Sequence, residues 1–266
     1  MLLPLLSRTS RFERLLQKRR FHGARILQNW RLYPTHQPTS TFQKGFLAVY
    51  SALVALNDPE RADMVAVLSE TTGEIALRNL RDVMKADPVG QQILLEKPIL
   101  DETTVNLENL GSLPRGTFGH AYYTFMDGNG FSPEGRAPVR FVDDAELAYV
   151  LLRYRQVHDL WHALFGLPPT VGGELALKWL ELLQTGLPVA ALSAAAGPLA
   201  LAPADRALLR RVYLPWALRA HGALRAPLMC VRYEALWGEP LAAVRARLGV
   251  LPAPGAPATD EEEEGK

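Results

Sequence analysis

An all-α fold in a single helical domain is what this chain predicts, on three observations. Apolar residues recur at three- and four-residue spacings along most of its length, the segments so patterned are bounded by helix caps or by Gly and Pro, and convincing strand alternation is scarce. With 266 residues, 48% of them hydrophobic, the chain can bury one good-sized core. Lys and Arg number 29 against 28 Asp and Glu, so there is no global basic bias toward nucleic acid. The single Cys230 excludes an intrachain disulfide framework and a multi-thiolate zinc site, and reads as a small buried hydrophobe.

The first thirty residues stand apart. Arg8, Arg11, Arg14, Lys18, Arg19, Arg20, Arg25 and Arg31 are offset only by Glu13, and Phe12, Leu15 and Leu16 fall at helical spacing. This is the pattern of a mitochondrial presequence, expected over residues 1–30. A secretory signal would want a longer apolar block, and a nucleic-acid-binding arm would not need the amphipathic spacing. The helical domain is expected over residues 31–252. Residues 253–266, with their Pro-rich start and the run Asp260 to Glu264, read as a disordered acidic tail.

Within the domain, a helix is expected from Thr41 to Leu56, starting near Ser40 and ending at Asn57-Asp58-Pro59. Ala62 to Ser69, Glu74 to Met84 and Val89 to Glu96 follow, separated by Gly or Pro. From Lys97 to Arg140 the density of Pro and Gly predicts a long irregular connection, of the kind that often covers a site. Asp143 then precedes Glu146 by three residues as a capping box, opening a helix to Phe165 with Leu147, Val150, Leu151, Tyr154, Val157, Trp161 and Leu164 on its apolar positions. Gly166 stops it, and Pro168-Pro169 prevent its continuation. Thr170 caps a second helix from Val171 to Gln184, which Gly186-Leu187-Pro188 ends. So short a connection predicts an antiparallel hairpin, with Gly172 and Gly173 letting the backbones approach closely.

That hairpin carries the chemistry. On a helix, residues four apart share a face, so His158 and His162 are neighbours and Asp159 sits beside them; the hairpin brings in Glu174 from the first turn of the second helix. A His pair at this spacing also occurs as ordinary buried side chains, and a Glu at a helix start also complements the dipole. The coincidence of all four points instead to a metal site. Two imidazoles and two carboxylates suit Zn²⁺, or a borderline ion such as Mn²⁺, Fe²⁺ or Co²⁺, better than Ca²⁺ or a thiolate-loving metal. A His-Glu-x-x-His protease is disfavoured because Asp159 is one methylene shorter than the required base. A His-Asp phosphohydrolase would have to draw in His120 and Asp205, neither in a recognisable context.

Phe46 to Leu56 and Leu187 to Leu201, the latter broken at Pro188, Gly197 and Pro198, are apolar but shorter than the ~20 residues a membrane span needs. They read as core helices, with a lipid-lining groove as the alternative.

The stretch Phe141 to Tyr149, then Tyr154-Arg155-Gln156-Val157-His158-Asp159 through Glu174, Lys178-Trp179 and Gln184 to Pro188 resembles the Coq4 family of ubiquinone-biosynthesis proteins. So do His36 to Ser40, Gln43-Lys44-Gly45, Arg61 to Ala66, Glu70 to Gly73, Tyr233-Glu234 and Trp237, and the likeness covers His36 to Pro254. The family usually has small residues where this chain has Tyr50 and Ser69, a departure that concerns helix packing and not the ligands.

The resemblance implies a mostly helical protein that binds a metal through His158, Asp159, His162 and Glu174, which would also be its catalytic residues. It implies removal of the ring-C1 carboxyl from 4-hydroxy-3-methoxy-5-polyprenylbenzoate to give 2-methoxy-6-polyprenylphenol. It places such a carboxy-lyase on the matrix side of the mitochondrial inner membrane, peripheral to the lipid surface, in a multiprotein complex with other coenzyme Q synthesis enzymes, with a homodimer as a further assembly. The alternatives are oxidative decarboxylation that leaves a hydroxyl at C1, and a non-catalytic lipid-binding scaffold.

Overall fold

The structure, a computed structural model, describes residues 31–58, 61–133 and 137–256. The expected presequence and the acidic run Asp260 to Glu264 lie outside them. Among the described residues the chain is all helix, turn and loop, with one isolated β-bridge between Thr117 and Pro240.

Helix α1 (Thr41–Asn57) opens on the expected capping box, Ser40 Oγ accepting from Gln43 N while Gln43 Oε1 accepts from Ser40 N. It packs on α2 (Ala62–Thr72), which is followed by α3 (Glu74–Ala86) and α4 (Pro88–Glu96). The segment from Lys97 to Arg140 is not the irregular connection its Gly and Pro content predicts. It contains α5 (Leu107–Gly111) and α6 (Phe118–Gly128), capped by Asn106 and Thr117. Gly119 and Gly128 lie inside or at the end of α6; Gly119 is needed there because a Cβ would meet Trp237 O at 2.8 Å. Packing decides this element against its weak local propensity.

Helix α7 (Ala145–Phe165) is the axis of the domain and is buried on every side, with Leu147, Val150, Leu151, Val157, Trp161, Leu164 and Phe165 fully enclosed. Its cap is Asp144, not Asp143: Asp144 Oδ1 accepts from Glu146 N and Leu147 N. Asp143 instead ties the N-terminal segment to this corner, bonding His36 Nε2 at 3.0 Å and Lys44 Nζ at 2.6 Å. Gly166, at φ 70°, ends α7 in the left-handed conformation as expected. Thr170 caps α8 (Val171–Thr185) by accepting from Gly173 N.

The close approach in this turn belongs to Gly173 alone, where a Cβ would lie 2.1 Å from Pro168 O; Gly172 faces open space. The side-chain pairs 162–174, 158–181 and 154–181 run in opposite senses along α7 and α8, so the hairpin is antiparallel.

Beyond it, α9 (Pro188–Ala200) runs unbroken through Gly197 and Pro198, which sequence reading took as breaks. Pro188 is accommodated as the first helical residue, and Gly197 makes room for Leu175 of α8. Then come α10 (Pro203–Leu208), a π turn over Leu209–Tyr213, α11 (Leu214–Ala223) and α12 (Leu241–Leu248). Residues 253–256, assigned by sequence to the tail, still touch the body: Ala253 is buried and its N–H donates to Phe165 O.

Four basic side chains of α7 each meet a carboxylate from elsewhere in the chain. Arg153 pairs with Glu234 at 2.8 Å and Arg155 with Glu70 at 2.9 Å, while His158 and His162 meet Glu181 and Glu174. Arg155 also donates to Ser69 Oγ and to Ala66 O and Ala137 O, so Ser69 serves as an acceptor. Trp161 Nε1 donates to the Tyr233 hydroxyl, which donates to Leu228 O. Such groups are tolerable in a core because each has at least one polar partner.

Candidate metal centre

His158, His162 and Glu174 present ligand atoms that all lie within 4.8 Å of one another. Glu174 Oε1 is 3.1 Å from His162 Nε2, and Glu174 Oε2 is 3.6 Å from His158 Nε2. Asp159 stands at the edge of this trio, its Oδ1 4.0 Å from His158 Nε2. Of the four residues that sequence reading brought together, three converge mutually and the fourth flanks them.

Both imidazoles are oriented from behind. His158 Nδ1 lies 2.5 Å from Glu181 Oε1, and His162 Nδ1 lies 3.1 Å from Leu167 O. Each Nδ1 thus faces an acceptor to which it can donate, and each Nε2 is turned to the shared space. His162 Nε2 is wholly buried and makes no hydrogen bond, although Glu174 Oε1 lies 3.1 Å from it. An orphaned, buried imidazole nitrogen facing a carboxylate fits a divalent cation, which would satisfy both.

Glu181 is the residue that sequence reading missed. It is fully buried and serves three partners: His158, Tyr154 through its hydroxyl at 2.7 Å, and Lys178 Nζ at 2.7 Å. Burial works against its ionisation, but Lys178 and His158 outweigh that and hold its carboxyl at about 2. Burial likewise opposes the charge on Lys178, and Glu181 more than restores it. The signal was present, since Lys178 and Glu181 follow Glu174 by four and seven residues and so share its face of α8. Glu174 shows the same contest: burial raises its carboxyl, while His158 and His162 pull it well below the carboxylate range.

Beside His162 lies a cavity of about 790 Å³ between α6, the α7–α8 turn and the start of α12. Phe125 stacks on the His162 ring at 5.0 Å and 16° and forms part of its wall. His120 lines this cavity, on α6, and is not part of the metal trio; Asp205 sits at the surface on α10.

The family model described as coenzyme Q (ubiquinone) biosynthesis protein Coq4 matches residues 33–254. A Bos taurus protein named ubiquinone biosynthesis protein COQ4 homolog, mitochondrial, is 51% identical over 224 residues, covering 84% of each chain. Its Homo sapiens counterpart is 48% identical with the same coverage, and a Laccaria bicolor protein of the same kind is 41% identical over 89% of this chain and 80% of its own. The fold is similar to the crystal structure of a Nostoc punctiforme protein described as a candidate ubiquinone biosynthesis protein, with a TM-score of 0.64 and 21% identity, over 77% of this chain and 97% of that one. With the family pattern matched over residues 33–254 and 51% identity to the Bos taurus relative over 224 aligned residues, the chain belongs to the Coq4 family of coenzyme Q biosynthesis proteins.

Proposed function

We propose that this protein removes the C1 carboxyl of 4-hydroxy-3-methoxy-5-polyprenylbenzoate as CO₂, giving 2-methoxy-6-polyprenylphenol, in a metal-dependent step of ubiquinone synthesis. The observation that carries the reading is the convergence of His158, His162 and Glu174, with both imidazoles aimed by partners on their Nδ1 atoms. A bound Zn²⁺, or Mn²⁺, Fe²⁺ or Co²⁺, would supply a Lewis acid for a substrate oxygen. Loss of CO₂ from an arene requires that C1 be protonated first, because the electrons released from the C1–carboxyl bond must re-form the ring. Asp159 flanks the trio at a place suited to deliver that proton or to add a fourth ligand. Glu181 and Leu167 O keep both imidazoles in one tautomer and orientation throughout.

The same two-His, one-carboxylate set favours a second outcome. It is the ligand class of non-haem iron oxygenases, in which case the C1 carboxyl would leave oxidatively and a hydroxyl would take its place.

The relatives' names place those proteins in mitochondria, and the proposal extends to this one a peripheral position on the matrix side of the inner membrane, within an assembly of coenzyme Q synthesis enzymes. No helix among the described residues is long and apolar enough to cross a membrane. The outer face of α1, with Phe42 85%, Phe46 64% and Leu53 63% exposed, suits contact with a lipid surface.

The test is purified protein loaded with each metal in turn and given carboxyl-labelled prenylated substrate, with and without O₂. Label should appear as CO₂, faster for longer tails, because binding energy of the remote tail positions the ring. Label retained under every condition, with partner proteins added back, would replace the enzyme with a lipid-binding scaffold.

A further inference from the structure

Two features meet at the cavity beside His162: its lining is basic, and the described chain ends there. Arg115, His120 and Arg245 contribute to the lining, and no Asp or Glu does so among the described residues. Arg245 Nε donates to Leu164 O at 2.8 Å, while Arg115 is exposed and enters no ion pair among the described residues. Two guanidiniums bordering one space with no carboxylate in its lining draw an anion to it. Gly255 lines the same cavity, Ala253 N–H donates to Phe165 O and Ala256 N–H donates to Ala253 O, so the last described residues are anchored beside it. A Cβ on Gly166 would lie 2.6 Å from Ala256 Cβ and 3.5 Å from Arg245 Nη2, which sets the chain end and that guanidinium against one glycine. Only Pro257, Ala258 and Thr259 separate Ala256 from five consecutive acidic residues, 260–264. Extended chain covers at most about 3.6 Å per residue, so Asp260 can stand up to about 14 Å from Ala256 and Glu264 up to about 29 Å. A sphere of the cavity's volume is about 11 Å across, and the acidic run is long enough to cross it.

We infer that the acidic residues 260–264 dock across this cavity within the same molecule, their carboxylates pairing with the guanidiniums of Arg115 and Arg245. The inference goes beyond the reading given under Proposed function and does not depend on it. Arginine holds a carboxylate through charge-assisted, often bidentate, hydrogen bonds. An exposed pair of this kind contributes little alone. Here the short tether from Ala256 holds the carboxylates at an effective concentration in the millimolar range, and five of them are interchangeable partners for the two arginines. A diffusible anion would therefore have to displace the run to enter the cavity. Because the pairs form at the surface, salt weakens the docking.

The experiment places a nitroxide spin label on Gly265→Cys in the full, ¹⁵N-labelled chain, where the acidic run is intact and the buried Cys230 stays unlabelled. Backbone amide signals of Gly116, Ala121, Thr124 and Leu167, all cavity-lining residues, are compared before and after reduction of the label. They should lose at least about half their intensity at about 10 mM salt and regain it at about 1 M, as the Debye length falls from about 30 Å to about 3 Å. Signals of α1, which lines no part of the cavity, should keep theirs. Asp260→Asn combined with Glu261→Gln, Glu262→Gln, Glu263→Gln and Glu264→Gln should abolish the broadening without touching the folded body. Arg115→Gln, at an exposed position, should reduce it. Full intensity at low salt, broadening unchanged by neutralising the run, indifference to Arg115→Gln, or equal broadening over α1 would overturn the assignment. Broadening that passes from a spin-labelled chain to a separate ¹⁵N-labelled one would place the run on a second copy, and would overturn it as well.

Discussion

Helices α7 and α1 invert the usual distribution of polarity in opposite directions. Helix α7 carries Arg153, Arg155, His158 and His162 into the interior, while α1 holds Phe42, Phe46, Val49 and Leu53 out toward solvent and, across its seventeen residues, has one charged side chain, Lys44. Inside, each inverted residue meets a carboxylate; outside, the apolar stripe spans about a sixth of the helix circumference with nothing charged among it. The difference teaches that polarity in α7 is set by partners within the fold, whereas the apolar stripe of α1 is left exposed among the described residues.

The largest expected effect breaks the interior half of this comparison. Arg155→Ala leaves the buried Glu70 carboxylate with only the Arg140 and Phe141 N–H groups, and should cost about 3–5 kcal/mol of stability. Urea unfolding with an unchanged m value would record it; a cost under about 1 kcal/mol would mean that the pair is incidental.

Next comes the support of the trio. Glu181→Gln should weaken metal affinity by about 10–100-fold while the helices persist by circular dichroism, because His158 loses the carboxylate that orients it. Chelator competition supplies the number, and an unchanged affinity would show that Glu181 serves only Tyr154 and Lys178.

Asp143 links the two regions, since it binds Lys44 of α1 and His36 beside the start of α7. Burial raises its carboxyl, but Lys44 and His36 outweigh that and hold it below the ordinary value. The carboxyl binds protons less readily folded than unfolded, so its stabilisation is present above the ordinary carboxylate value of about 3.9 and is lost as pH falls below it through the folded value. Asp143→Asn should be less stable than wild type at pH 7, by no more than about 1 kcal/mol at so exposed a pair, and the gap should close in acid. A gap independent of pH would assign the effect to packing.

The smallest effect on folding belongs to the exposed stripe. Phe42→Ser with Phe46→Ser should change stability by within about 0.5 kcal/mol, since these rings are exposed, yet should lower co-sedimentation with anionic vesicles several-fold. Marked destabilisation would show that α1 obeys the same rule as α7 and remove the contrast.

Family-pattern residues scattered through the sequence are brought to single sites by the fold. Glu70, from the run Glu70 to Gly73, meets Arg155, and Glu234 meets Arg153, contacts spanning 85 and 81 residues. Nothing in their local sequence names these partners. The same holds for the choice of Asp144 over Asp143 as a cap, for the helix α6 hidden in a Gly- and Pro-rich stretch, and for a cavity assembled from α6, the hairpin turn and α12.

By itself the sequence determined the all-α class, the starts at Ser40 and Thr170, the stop at Gly166, and the placing of His158 and His162 on one helix face with Glu174 returning to them. These follow from interactions between residues at most a few positions apart, where backbone geometry leaves few alternatives. Tertiary structure alone decided that Glu181 and Leu167 O aim the two imidazoles, that Asp159 flanks the other three, and that Arg115 and His120 border a cavity beside His162. Such pairings depend on the path of the whole chain, and burial makes each uncompensated polar group costly, so the partners are fixed by packing and not by spacing.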